Sequence, residues 1–153
     1  MAMTNSTRMT QDEWLETDGL GGFASGTVSG IRTRRYHALL LPATKPPAGR
    51  IVLVNGFDAE VKTVTGNYAI SSQSYSPSVV HPDGIHRIVE FRKDPWPQWT
   101  FALADGTTIQ QEIFAAHGAS IVVLSWRLVN PSREARLTVR PFFSGRNYHS
   151  LHH

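Results

Sequence analysis

Apolar and polar residues alternate with period two along most of this chain. No segment past residue 18 holds apolar residues at helical spacing for long. Tyr36 to Leu41 reads as a buried strand that Pro42 ends, and Ile51 to Val54 as the next strand. Asn55-Gly56 is a hairpin signal, because both turn positions favour positive φ, and Ala59 to Val64 is the returning strand. Gly66-Asn67 predicts another turn, into Tyr68 to Ser72. The Ser- and Pro-rich stretch from Ser74 to Gly84 predicts an irregular loop, as does Thr44 to Gly49 around Lys45-Pro46-Pro47. Strands resume at His86 to Arg92, Trp99 to Ala104, Thr107 to Phe114, Ala119 to Val129 and Ala135 to Phe142. Asp105-Gly106 is a second hairpin dipeptide, Asn130-Pro131 closes a strand, and Pro95 and Pro97 bracket Trp96 and break the pairing. About ten short strands joined by tight turns predict an all-β fold with few or no helices. A large antiparallel β-sandwich suits them better than a closed barrel, because strand lengths vary and long loops interrupt.

Composition narrows the class. A chain of 153 residues with 41% hydrophobic and 18% charged residues is globular and, by length, a single domain. Residues 13–153 are expected to form that domain, behind a polar, flexible N-terminal segment of residues 1–12. No apolar run approaches a membrane span, and the polar start lacks the apolar core of an export signal. The lack of cysteine fits a reducing cytoplasm and rules out thiol chemistry. The formal charge is +3, with basic residues spread along the chain apart from Arg32, Arg34 and Arg35. A nucleic-acid partner would call for a denser basic stripe, so none is expected. The seven histidines fall into no zinc-ligand spacing within one element, so no metal site is predicted.

The densest chemistry lies between Glu13 and His37. Gly19, Gly21, Gly22, Gly26 and Gly30 precede Arg34, Arg35, Tyr36 and His37. Glycine serves where the backbone takes positive φ or approaches another group closely, so these five are read as shaping a loop. Gly19-Leu20-Gly21-Gly22 is not a dinucleotide fingerprint, because strand-forming Thr27-Val28-Ser29 follows where a helix would be needed. If Arg34 to His37 are extended, Arg34 and Tyr36 share one face and Arg35 and His37 the other. An arginine there either ties the loop to a carboxylate or donates hydrogen bonds to a ligand. Arg146, Asn147, Tyr148 and His149 repeat the same residue types, again beside an expected strand end.

These two blocks carry a resemblance. Trp14, Leu15, Gly19 to Thr27, Gly30 and Thr33 to His37, together with Arg140-Pro141-Phe142 and Gly145 to Leu151, resemble the N-terminal domain of bacterial and archaeal glycogen debranching enzymes of the amylo-α-1,6-glucosidase type. The resemblance implies a large, supersandwich-like antiparallel sandwich ahead of an α-helical toroid. It implies hydrolysis of α-1,6 branch linkages of a glycogen-like α-glucan by the full enzyme, with no cofactor. The catalytic acid and base belong to the helical domain, and this chain is expected to continue past His153 into it.

The carboxylates agree with a non-catalytic role. Glycoside hydrolysis uses two carboxyl groups across the scissile bond. Here Asp58, Asp83, Asp94 and Asp105 fall in expected turns, Glu90 and Glu112 in strands, and no pair stands out. The Arg34–His37 and Arg146–His149 clusters are expected to converge at one end of the sandwich and face the catalytic domain. Trp96 could present its ring to a sugar or pack inward, whereas Trp99 and Trp126 are expected in the core and Trp14 to pack the N-terminal segment. A stand-alone carbohydrate-binding module and a self-associating structural domain are the competing readings.

Overall fold

The computed structural model describes residues 5–45, 49–130 and 134–150. The expectations on Pro46-Pro47, Pro131, Leu151 and the terminal histidines lie outside the described residues. The chain runs through α1 (Asn5–Gln11), β1 (Glu13–Thr17), β2 (Phe23–Thr27), β3 (Ala38–Leu41), β4 (Ala43–Lys45), β5 (Gly49–Thr63) and β6 (Gly66–Ala69). It continues through β7 (Ser72–Tyr75), β8 (Val79–Asp83), β9 (Ile88–Arg92), β10 (Gln98–Ala102), β11 (Thr108–Ala115), β12 (Val122–Leu128) and β13 (Arg136–Asn147). All strand pairs are antiparallel.

One sheet has the order β1-β2-β3-β5-β13, with β4 and β6 also paired to β5; a four-stranded sheet runs β12-β11-β10-β9. One core joins them. Trp14, Ala24, Leu39, Ala59 and Val61 of the first sheet pack with Trp99, Phe101, Ile109 and Ile113 of the second. This is the all-β sandwich that period-two patterning predicts. Trp99 stands edge-on to Trp14 with ring centroids 5.8 Å apart, and its indole N–H donates to Val28 O at 2.8 Å. Phe57 and Trp126 make a second edge-to-face contact between the sheets at 5.6 Å. The Trp14 indole N–H donates to Thr27 O at 3.2 Å and that of Trp126 to Gln111 Oε1 at 2.9 Å, so these three indole rings fill the core with their polar edges satisfied.

Several elements depart from the sequence expectation. Residues 5–11, in the segment read as flexible, form a short helix; Met9 packs on the core and its carbonyl accepts from Ser29 N at 2.9 Å. The polar helix is held by those tertiary contacts rather than by its own length. Asn55-Gly56 is not a hairpin: β5 passes straight through it, because β3 pairs one side and β13 the other. Gly56 is needed for space, since a Cβ there would overlap the Arg32 guanidinium. The actual turn after β5 is Val64-Thr65, one step before Gly66. The stretch from Ser74 to Gly84 is a small β7–β8 hairpin instead of an irregular loop, anchored by buried Ser72, whose Oγ accepts from Ile85 N at 2.7 Å. Asp105-Gly106 does turn as predicted, with Gly106 at φ 84° and Asp105 Oδ1 accepting from Thr107 N at 2.9 Å.

Candidate functional site

Residues 34–37 are not extended. They form a turn closed by His37 N donating to Arg34 O at 3.0 Å, so the face-alternation argument fails there. Inside the turn His37 is 4% exposed. Its Nδ1 accepts from Thr33 N at 3.1 Å and Arg34 N at 3.3 Å, and its Nε2 lies 3.2 Å from Glu13 Oε1. Nδ1 must therefore be unprotonated, and the Nε2 hydrogen goes to Glu13. Burial pushes the imidazole pKa down, and Arg34 and Arg32 add to this; Glu13 opposes it. Neutral His37 is the organiser of the turn, and Glu13 also holds Arg34 Nε at 2.5 Å.

The second cluster arrives by a different route. The β5–β13 register slips between Phe142 and Arg146, so that Arg146 comes to lie opposite Val52 and Asn147 opposite Ile51. Arg146 is 6% exposed and donates to Arg35 O at 2.6 Å, Ser150 O at 2.8 Å and Asn55 Oδ1 at 3.4 Å. Arg35 returns the link by donating to His149 O at 3.0 Å, and Tyr36 Oη lies 3.2 Å from His149 Nδ1. The Tyr36 and Tyr148 rings are 5.6 Å apart, with Arg35 over Tyr36 and Arg50 over Tyr148. Asn147 Oδ1 caps the following turn by accepting from His149 N at 2.9 Å. The structure thus brings Arg34–His37 and Arg146–His149 together beside the first half of β5.

Trp96 is elsewhere. Its ring packs on Phe114 at 4.9 Å, half-buried, and has no ring contact with the cluster among the described residues. The glycines are structural. Gly19, Gly21 and Gly30 have φ of 76°, 95° and 80°. Gly22 and Gly26 are required by close approach: a Cβ on Gly22 would overlap Asp18 Oδ2, and one on Gly26 would lie 3.1 Å from the Trp14 ring. Buried Asp18 fixes the loop, its Oδ1 accepting from Leu20 N at 2.7 Å and Gly22 N at 2.9 Å.

Between the two clusters lies a cleft of about 410 Å³, lined by Arg32, Thr33, Arg34, Arg35, His37, Asn55 and Arg146. Arg32, Thr33 and Asn55 are the members that the sequence did not single out as site residues. The Arg32-Thr33-Arg34-Arg35 run was the one signal for Arg32; Asn55 carried a turn signal instead. A second groove of about 520 Å³ holds Asp58, Glu60, Asp83, Arg87 and Arg140. There Asp58 is 3.2 Å from Arg140 and Asp83 2.6 Å from Arg87, which holds the Asp83 carboxyl below its usual range. A general acid would need its pKa raised. Glu16 is raised by burial, against a hydrogen bond from the Ala115 backbone, but it lies in neither groove. Among the described residues no group of three or more His, Asp or Glu could hold a metal ion.

The fold and site together define an all-β sandwich domain with an arginine-lined cleft beside β5. The family model described as glycogen debranching enzyme, N terminal, matches residues 12–153, and the chain belongs to that family. Neither the curated proteins nor the solved structures give a significant match. Among the described residues, no helix is long and apolar enough to cross a membrane.

Proposed function

We propose that this chain is the non-catalytic N-terminal unit of a cytoplasmic glycogen debranching enzyme. In the whole protein, a helical catalytic domain of the same polypeptide hydrolyses the α-1,6 branch linkages of a glycogen-like α-glucan. This unit packs against that domain and borders its substrate. The observation that carries the packing role is the outer strand. β13 ends the sheet order, and its core-side positions Leu137 and Val139 pair with buried Val61 and Ala59. Directly paired residues point the same way, so these two extend the core face beyond the cover of the opposite sheet. Leu137, Val139 and Phe143 remain 38%, 36% and 78% exposed. Uncovered core-face residues on an edge that no other described strand pairs call for a partner surface.

Support for the glucan contact comes from the face that gathers Arg35, Tyr36, Tyr148 and His149. It presents guanidinium donors and tilted aromatic rings side by side. Trp96, half-buried against Phe114, is the weaker platform. Incubating the 153-residue chain with a branched limit dextrin tests the non-catalytic assignment: no glucose release is expected, and release at an enzymatic rate refutes it. Titrating maltoheptaose into the chain tests the glucan contact, with Tyr148→Ala expected to abolish the heat. Sedimentation of wild type against a Leu137→Lys, Val139→Lys double variant tests the packing edge. Self-association that the double variant removes supports it; monomers throughout, with no binding to a separately produced catalytic domain, overturn it.

A further inference from the structure

The arginine cleft holds more positive charge than its own carboxylate balances. Arg32, Arg34, Arg35 and Arg146 line it, and Glu13, on Arg34 and His37, is the carboxylate paired with them. Four guanidinium groups against one carboxylate leave an excess of +3 with His37 neutral, equal to the formal charge of the entire chain. Asp58 reaches Arg32 only through the electrostatic field and is engaged by Arg140 at 3.2 Å. Among the described residues, buried Arg146 has neutral acceptors alone: two backbone carbonyls and the Asn55 amide oxygen. A desolvated cation without an anionic partner is costly unless a ligand supplies the charge. Arg32 makes no hydrogen bond or ion pair with the described residues; its guanidinium sits 5.5 Å from the Phe142 ring centroid, leaving its donors available.

We infer that this cleft is a binding site for a phosphate group, free or carried as a monoester on a sugar. Three reasons select phosphate. An excess of three positive charges suits a dianion better than a single carboxylate. Guanidinium forks match phosphate oxygens bidentately. The volume of about 410 Å³ exceeds a bare oxyanion and leaves room for a hexose beside it. In the bound state Arg32, Arg34 and Arg35 donate to the phosphate oxygens, and Arg146 contributes its charge from beneath. This inference is independent of the neutral-glucan contact.

Calorimetry on the 153-residue chain at low ionic strength tests it, with inorganic phosphate, glucose 1-phosphate, maltose and acetate as separate titrants. Phosphate and glucose 1-phosphate are expected to bind and compete, and to weaken as salt rises. Equal affinity for the two identifies free phosphate as the ligand; tighter glucose 1-phosphate identifies the sugar ester. Arg32→Gln is expected to weaken both by at least about tenfold, the loss of one charged hydrogen bond. Amide NMR shifts confined to residues 32–37 and 146–149 of the wild type give a readout that does not depend on variant folding. No heat and no shifts with either phosphate ligand overturn the inference. So does acetate binding as tightly as phosphate, or an unchanged affinity in a folded Arg32→Gln. Heat with maltose bears only on the glucan contact.

Discussion

His37→Ala removes the acceptor of two backbone N–H groups and the donor to Glu13 in one step. Stranding a buried donor costs about 1–3 kcal/mol. Both amides here are only partly buried, so each takes the low end, about 1 kcal/mol. Losing the packed imidazole, 4% exposed in place, adds about 1 kcal/mol. The expected destabilisation is about 3 kcal/mol, a large share of the roughly 5–15 kcal/mol that holds a domain together. Urea unfolding followed by circular dichroism at pH 7.5 reads it. His37→Asn keeps an oxygen near the Nδ1 position and should recover about half. The pH dependence has a definite sign. Burial lowers the folded pKa below the ordinary 6.5, so below that pH the unfolded chain binds the proton first. Wild-type stability therefore falls as pH drops from 6.5 toward the folded value, and shows no slope from His37 above 6.5. The Asn variant lacks this slope, and subtracting the two curves isolates it from the other histidines. A cost for His37→Ala under about 0.5 kcal/mol, or the same acid slope in His37→Asn, would refute the turn-organiser argument.

Gly22→Ala places a Cβ on the Asp18 carboxylate, which two backbone hydrogen bonds hold still; a loss of about 2–3 kcal/mol is expected in the same unfolding assay. Gly118→Ala, at φ 81° with open space around it, should cost less, about 1 kcal/mol from backbone strain alone. Asp105 is held well below the ordinary carboxylate value of 3.8, first by the Thr63 hydroxyl and then by the Thr107 amide. Thr63→Val should move the Asp105 carboxyl titration, followed by carbon NMR, up toward 3.8. Because a depressed acid stabilises above its unfolded pKa and loses this as pH falls, the variant should lose less stability between pH 4 and the folded value.

Sequence alone determined the local grammar. Period-two runs fixed an all-β chain, Asp105-Gly106 placed a real turn, and the prolines around Trp96 marked a true break between β9 and β10. Two blocks of Gly, Arg, Tyr and His were enough to point to the family. Tertiary structure decided the rest, because the deciding partners are far apart in sequence. Asn55-Gly56 turns in isolation, but strands on both sides of β5 supply more backbone hydrogen bonds than a turn could. His37 was a candidate for substrate or domain-interface contact; the fold buries it inside the turn, where Glu13 across the loop takes its second nitrogen. Arg32 looked like one basic residue of three. Only when the β13 bulge swings Arg146 beneath Arg35 does that run become the wall of a charged cleft, since electrostatic excess is a property of three-dimensional neighbours.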